Sequence, residues 1–187
     1  MTAFTTEKID VEPWFDMELF MGVSQETRLG GDVMDRFMTL WKNWLPHLTV
    51  KGIDTGKIKY LLVALDESVE QDVDKAWEGS PSNAFLYNAL AQTMCMAVHA
   101  VIPEVQDAGC APAPKPTATL REALEAEGIP YSNDKDPILS RRYAVVTHYP
   151  FKGGCEICVL QSNCPKGQGQ MEATSVVLPG YEHPQQM

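Results

Sequence analysis

The sequence predicts an α+β fold: a small mixed or antiparallel sheet packed on helices, with a C-terminal cysteine-rich loop suited to a metal cluster. Three observations carry this. Helical and strand patterns follow one another without the regular alternation that a doubly wound sheet requires. The run Tyr60-Leu61-Leu62-Val63-Ala64-Leu65 is apolar on both faces, which places it in the middle of a sheet. Three of the five cysteines fall between Cys155 and Cys164.

A chain of 187 residues suits one α+β domain over 1–187, with the cysteine loop at 150–170. Hydrophobic residues make up 44% and charged residues 21%, ordinary values that argue against disorder throughout. In order, residues 1–12 read as a loose leader. Residues 13–21 read as a short helix, with Pro13 tolerated in the first turn. Gly30-Gly31 breaks the chain, and Asp32 is a good N-cap for a helix over 33–45. Val33, Phe37, Leu40, Trp41 and Trp44 recur there at helical spacing, and Pro46 ends it.

Residues 57–65 form the predicted central strand, and 68–77 a short, acidic, solvent-facing helix. Gly79-Ser80-Pro81-Ser82 makes a turn that also caps the next helix. Residues 83–102 are apolar nearly all round, the pattern of a buried central helix. Residues 107–119, with Pro112, Pro114 and Pro116, form an extended loop that has Cys110 near its start. Thr119 is a candidate cap for a helix over 120–127, ended by Gly128. Residues 131–137 read as a polar turn, 142–149 as a strand that runs into the cysteine loop, and 174–178 as a short further strand.

Charge narrows the function. The formal net charge is -10, which argues against nucleic acid, since that partner requires a basic surface. No secretory signal opens the chain, and polar residues interrupt its longest apolar run, so a cytoplasmic, non-membrane protein is expected. An odd number of cysteines in such a chain fits metal binding or free thiols better than disulfides. Arg141, Arg142, Lys152 and Lys166 stand against Glu156 near the cysteines, whereas acids dominate between Tyr60 and Cys110. A basic surround suits a negatively charged thiolate cluster, and chance surface charge accounts for it equally well.

The cysteines read Cys155-x2-Cys158-x5-Cys164-Pro165. Two thiolates two residues apart can clamp one metal centre, and a turn brings the third back to it. Gly153 and Gly154 let the chain bend before Cys155, and their amides are candidates for hydrogen bonds to cluster sulfur. The fourth ligand is expected to be Cys110, beside Gly109. His148 and Cys95 are the alternatives, although Cys95 lies mid-helix among small apolar residues and reads as core. A centre with no fourth protein ligand would leave an iron open to substrate. A dithiol at Cys155 and Cys158 is the non-metal reading, and the neighbouring third cysteine argues against it.

This spacing resembles the end of the 4Fe–4S loop in endonuclease III-type DNA glycosylases, where a further cysteine stands at the position of His148. It is also similar to the iron staple of CRISPR-associated and recombination exonucleases, whose fourth cysteine comes from far upstream, as Cys110 could here. Auxiliary clusters of some radical-enzyme maturases share it. The resemblance covers the cysteine loop alone and implies a 4Fe–4S cluster on Cys110, Cys155, Cys158 and Cys164. It does not extend to nuclease or glycosylase activity. No carboxylate with a following Glu-x-Lys pair stands out, and the region before the loop reads as a strand rather than a helical hairpin.

The expected function is iron–sulfur binding for electron transfer or redox sensing, or as a cluster-bearing subunit of an oxidoreductase with a redox partner protein. The alternative is a Zn2+-stapled binding module without redox chemistry. Asp66-Glu67 reads as a solvated helix start, and the four tryptophans as core packing. No phosphate loop, His-Glu-x-x-His helix or nucleophile elbow is present, and no set of acid, base and nucleophile converges in the sequence.

Overall fold

A computed structural model describes residues 4–105, 111–133, 137–151 and 155–164. Its elements are β1 (Thr5–Lys8), α1 (Met17–Ser24), α2 (Gly31–Trp44), β2 (Leu48–Asp54), β3 (Lys59–Leu65), α3 (Glu67–Gly79), α4 (Pro81–Val101), α5 (Ala118–Ala126) and β4 (Ala144–His148). Short 3-10 turns lie at Leu45–His47, Cys155–Ile157 and Gln161–Asn163. The strands form one antiparallel sheet in the order β1-β2-β3-β4. The fold is therefore α+β as expected, with an antiparallel rather than a mixed sheet.

β3 organises the core because its alternate residues bury on opposite faces. Leu61, Val63 and Leu65 pack with Phe20 of α1, Phe37, Trp41 and Trp44 of α2, Val69 and Val73 of α3, and Leu90, Met94 and Val98 of α4. Tyr60, Leu62 and Ala64 face the other way, onto Leu120, Ala123 and Leu124 of α5 and onto Ile129, Tyr131 and Leu139. Lys51 of β2 pairs with Glu127, which ties the sheet to the end of α5.

Several boundaries differ from the sequence reading, each for a local reason. The leader contains β1, an exposed strand whose Thr-Thr-Glu-Lys carries no apolar alternation. Only backbone pairing with β2 makes it a strand. β2 was not foreseen either: Val50 and Ile53 bury on opposite faces, so its pattern reads neither as a half-buried nor as a fully buried strand. Asp54 Oδ1 accepts a hydrogen bond from the Gly56 amide at 2.7 Å, and Gly56 adopts φ 78°, which closes the β2–β3 hairpin. α1 starts at Met17 because Asp16 caps it, accepting from the Leu19 amide at 3.0 Å. α2 starts at Gly31, with Asp32 in its first turn rather than at the cap. Thr117, not Thr119, caps α5. The strand read at 174–178 lies outside the described residues.

α4 is less enclosed than its composition suggests. It has the length and hydropathy of a membrane span, and half of that stretch is buried inside the fold. Phe85 and Met96 stand out at 64% and 47% exposure, so one face of the helix is open. Phe85 meets Trp77 edge-on, with ring centroids 4.8 Å apart. Trp77 and Trp14 are exposed, which corrects the expectation that all four tryptophans pack in the core. Trp41 and Trp44 do so, and each indole N–H finds an acceptor, Pro13 O at 3.2 Å and Asp72 Oδ2 at 3.0 Å.

Asp66 is the solvated helix start that the sequence suggested. Its Oδ1 accepts from the Ser68 amide at 2.9 Å, and its Oδ2 lies 2.6 Å from His47 Nδ1. Burial pushes its pKa up, but the bonds from Ser68 and His47 outweigh this and hold it below the ordinary 3.8. A depressed carboxylate adds stability that is complete above the unfolded value and lost as pH falls through the folded one. Asp66→Ala is expected to cost ~1 kcal/mol in urea unfolding at neutral pH. The difference from the unsubstituted protein should shrink as the medium is acidified through that range.

Candidate metal centre

β4 delivers the chain to the cysteine segment. At its end, Tyr149 N–H donates to Lys59 O at 2.9 Å, and Phe151 is buried. Cys155 opens the first 3-10 turn, and the Cys158 amide donates back to Cys155 O at 3.2 Å. The Gln161 amide donates to Cys158 O at 3.1 Å, and the Cys164 amide to Gln161 O at 3.3 Å. The three cysteines thus mark the ends of consecutive tight turns.

Two contacts fix this segment against the proline-rich loop. The Val159 amide donates to Ala113 O at 2.9 Å, and Thr147 Oγ1 donates to Pro112 O at 2.9 Å. The loop after position 110 is therefore held between β4 and the cysteine turns. Cys110 itself, like Gly153 and Gly154, lies outside the described residues. Three residues of chain separate it from Ala113, a reach of at most about 11 Å.

Cys155 is exposed, Cys158 and Cys164 are half-buried, and none of the three is in a disulfide. Among the described residues, no group of three or more His, Cys, Asp or Glu side chains is placed to hold a metal ion. The thiols that the sequence singled out thus share one short segment without forming a closed ligand set among themselves. Their chemistry suits iron or zinc: three free, accessible sulfurs near the place where a fourth cysteine joins the described chain.

The alternative fourth ligands have other surroundings. His148 lies against Tyr60, with ring centroids 5.4 Å apart. Burial lowers its pKa, opposed by a hydrogen bond to the Ile157 backbone, so the imidazole is neutral at physiological pH. Cys95 is a core thiol on α4, its Sγ 3.6 Å from Tyr143 O. Burial pushes its pKa to about 12, opposed by a backbone hydrogen bond at Leu65. In the folded, metal-free protein N-ethylmaleimide is expected to modify Cys155 first, then Cys158 and Cys164, and to spare Cys95 until the protein unfolds. Peptide mass mapping over time checks this order.

The basic surround read from sequence does not serve the cysteines among the described residues. Arg142 binds both carboxylate oxygens of Asp74, at 2.8 and 3.2 Å, and its amide donates to Glu70 Oε1 at 2.9 Å. Arg141 lies 3.6 Å from Glu67 Oε2. The acidic face of α3, not the cysteine segment, uses these charges, and the Arg142 pairing holds the Asp74 pKa below its usual value. Lys152 and Lys166 lie outside the described residues. Sequence reasoning missed the clamp through Val159 and Ala113, because a backbone hydrogen bond between coil segments has no residue signature.

No family model, curated protein or solved structure matches this chain.

Proposed function

We propose that the protein binds a 4Fe–4S cluster through Cys155, Cys158, Cys164 and Cys110, and serves a redox partner protein in electron transfer. The observation that supports this reading best is the hydrogen bond from Val159 to Ala113. It ties the three-cysteine segment to the loop that carries the fourth cysteine, across a wide separation in sequence. A bound cluster supplies one-electron chemistry. The protein's own residues would hold it, shield it on the side of Cys158 and Cys164, and leave the side of Cys155 accessible to a partner. The Gly153 and Gly154 amides are the candidate donors to cluster sulfur. Free thiols of this kind fit a reducing, cytoplasmic setting.

Anaerobic purification followed by iron, sulfide and zinc analysis tests the reading. Iron and sulfide near four each per chain, with a broad absorption band near ~400 nm, are expected. One zinc and no colour would replace this reading with a zinc-stapled module. Neither metal at any stoichiometry would end it.

A further inference from the structure

His99, in the last turn of α4, carries an acceptor with nothing to accept. Its Nδ1 lies 3.2 Å from Met96 O. A carbonyl oxygen only accepts, so Nδ1 holds the ring proton and Nε2 keeps the lone pair. Burial lowers the His99 pKa, opposed by the bond to Met96, so the ring is neutral at physiological pH. Nε2 is buried and has no hydrogen-bond partner among the described residues. A buried polar atom left in this way calls for a partner.

His99 stands in the wall of a cavity of about 410 Å3 between α1, α4 and β4. Leu19, Cys95, Met96, Val145 and Phe151 make most of the lining apolar, and Ala111 of the proline-rich loop forms a further wall beside β4. Phe151 meets the His99 ring edge-on, with centroids 6.0 Å apart. Met96 is 47% exposed, so the cavity is reached from solvent on that side. The other buried polar groups of the lining have partners already. Arg142 holds Asp74, Tyr143 OH donates to Asn88 Oδ1 at 3.0 Å, and the Cys95 thiol donates to Tyr143 O. Among the described residues of this wall, His99 Nε2 is the buried polar atom that remains unmet.

These features select a ligand class. Water is held well where several polar groups converge, whereas His99 offers one acceptor in an apolar surround. A cavity of this size and lining takes a small organic molecule, gripped by its apolar walls and oriented by a single polar group. The edge of an aromatic ring and the sulfurs of Met96 and Cys95 favour an aromatic body over an aliphatic one. We propose that this cavity binds a small aromatic molecule with one O–H or N–H group, a phenol or an indole in chemical class, whose donor bonds to His99 Nε2. The site goes beyond the metal reading and does not depend on any metal at the cysteines.

Titration of the full chain with 4-methylphenol, and separately with toluene, tests this by methyl 1H–13C and long-range 1H–15N NMR. Saturable shifts are expected at the methyl groups of Leu19, Met96 and Val145, together with a displaced His99 Nε2 resonance for 4-methylphenol alone. The phenol is expected to bind about fivefold or more tightly than toluene, the effect of one added hydrogen bond. His99→Phe keeps the bulk of the ring and removes the acceptor, so it should erase this preference and still admit toluene. Equal affinity for the two probes in the unsubstituted protein overturns the proposal, as does an Nε2 resonance that the phenol leaves in place. Methyl shifts that map to another surface, or none up to the solubility limit of the probes, overturn it too. The spectra of the unsubstituted chain decide the matter even where the variant unfolds.

Discussion

Cys158→Ser is expected to abolish stable iron binding and the accompanying visible absorption, the largest functional effect of any single substitution in this chain. A serine hydroxyl is a poor ligand for the soft iron of such a cluster, and Cys158 is the central member of the three, joined by backbone bonds to both neighbouring turns. Cys164→Ser should behave alike. Cys95→Ser is the control: its thiol is buried against Tyr143 O on α4, so iron content should not change. Cys110→Ser separates the ligand assignments. Iron retained at full stoichiometry with an unchanged spectrum would remove Cys110 from the set. Iron and sulfide analysis of the four anaerobically prepared variants reads all of this.

Trp44→Ala is expected to destabilise the fold by about 3–5 kcal/mol, the range for truncating a large buried aromatic side chain. Trp44 is 1% exposed and sits between the helices and the sheet. Its ring meets Tyr87 edge-on, and its N–H is donated to Asp72 on α3. Truncation therefore opens a cavity in the larger cluster and also frees a carboxylate on a neighbouring helix. Trp14→Ala removes the same residue type from a site that is 58% exposed, and should stay within about 0.5 kcal/mol. Urea midpoints of the two variants, with unchanged slopes, check the contrast. Equal losses at the two positions would mean that burial here is not what distinguishes them.

Much of the fold was legible because it rests on local chemistry. The solid apolar run at β3 announced a central strand, and the helical spacing of Phe37, Trp41 and Trp44 announced the buried face of α2. Gly128, with φ 72°, ended α5 where a left-handed residue is needed. Caps were less certain because several polar residues near each helix start compete for one role: Asp32 and Thr119 qualified by type, while Gly30 and Thr117 hold the positions. Of the candidate site, the spacing of the cysteines showed which residues belong together. Their exposures and their attachment to Ala113 did not appear in it.

Composition and spacing by themselves determined the α+β class, the central strand, the main helices and the grouping of three thiols in one segment, because each depends on residues close together in the chain. Tertiary structure alone decided that Thr5–Lys8 is a strand, that Arg141 and Arg142 serve α3, and that the proline-rich loop lies beside the cysteine turns. Those outcomes depend on which distant segment supplies the partner for a backbone amide or a guanidinium. A hydrogen-bond donor carries no mark of its acceptor until the chain has folded around both.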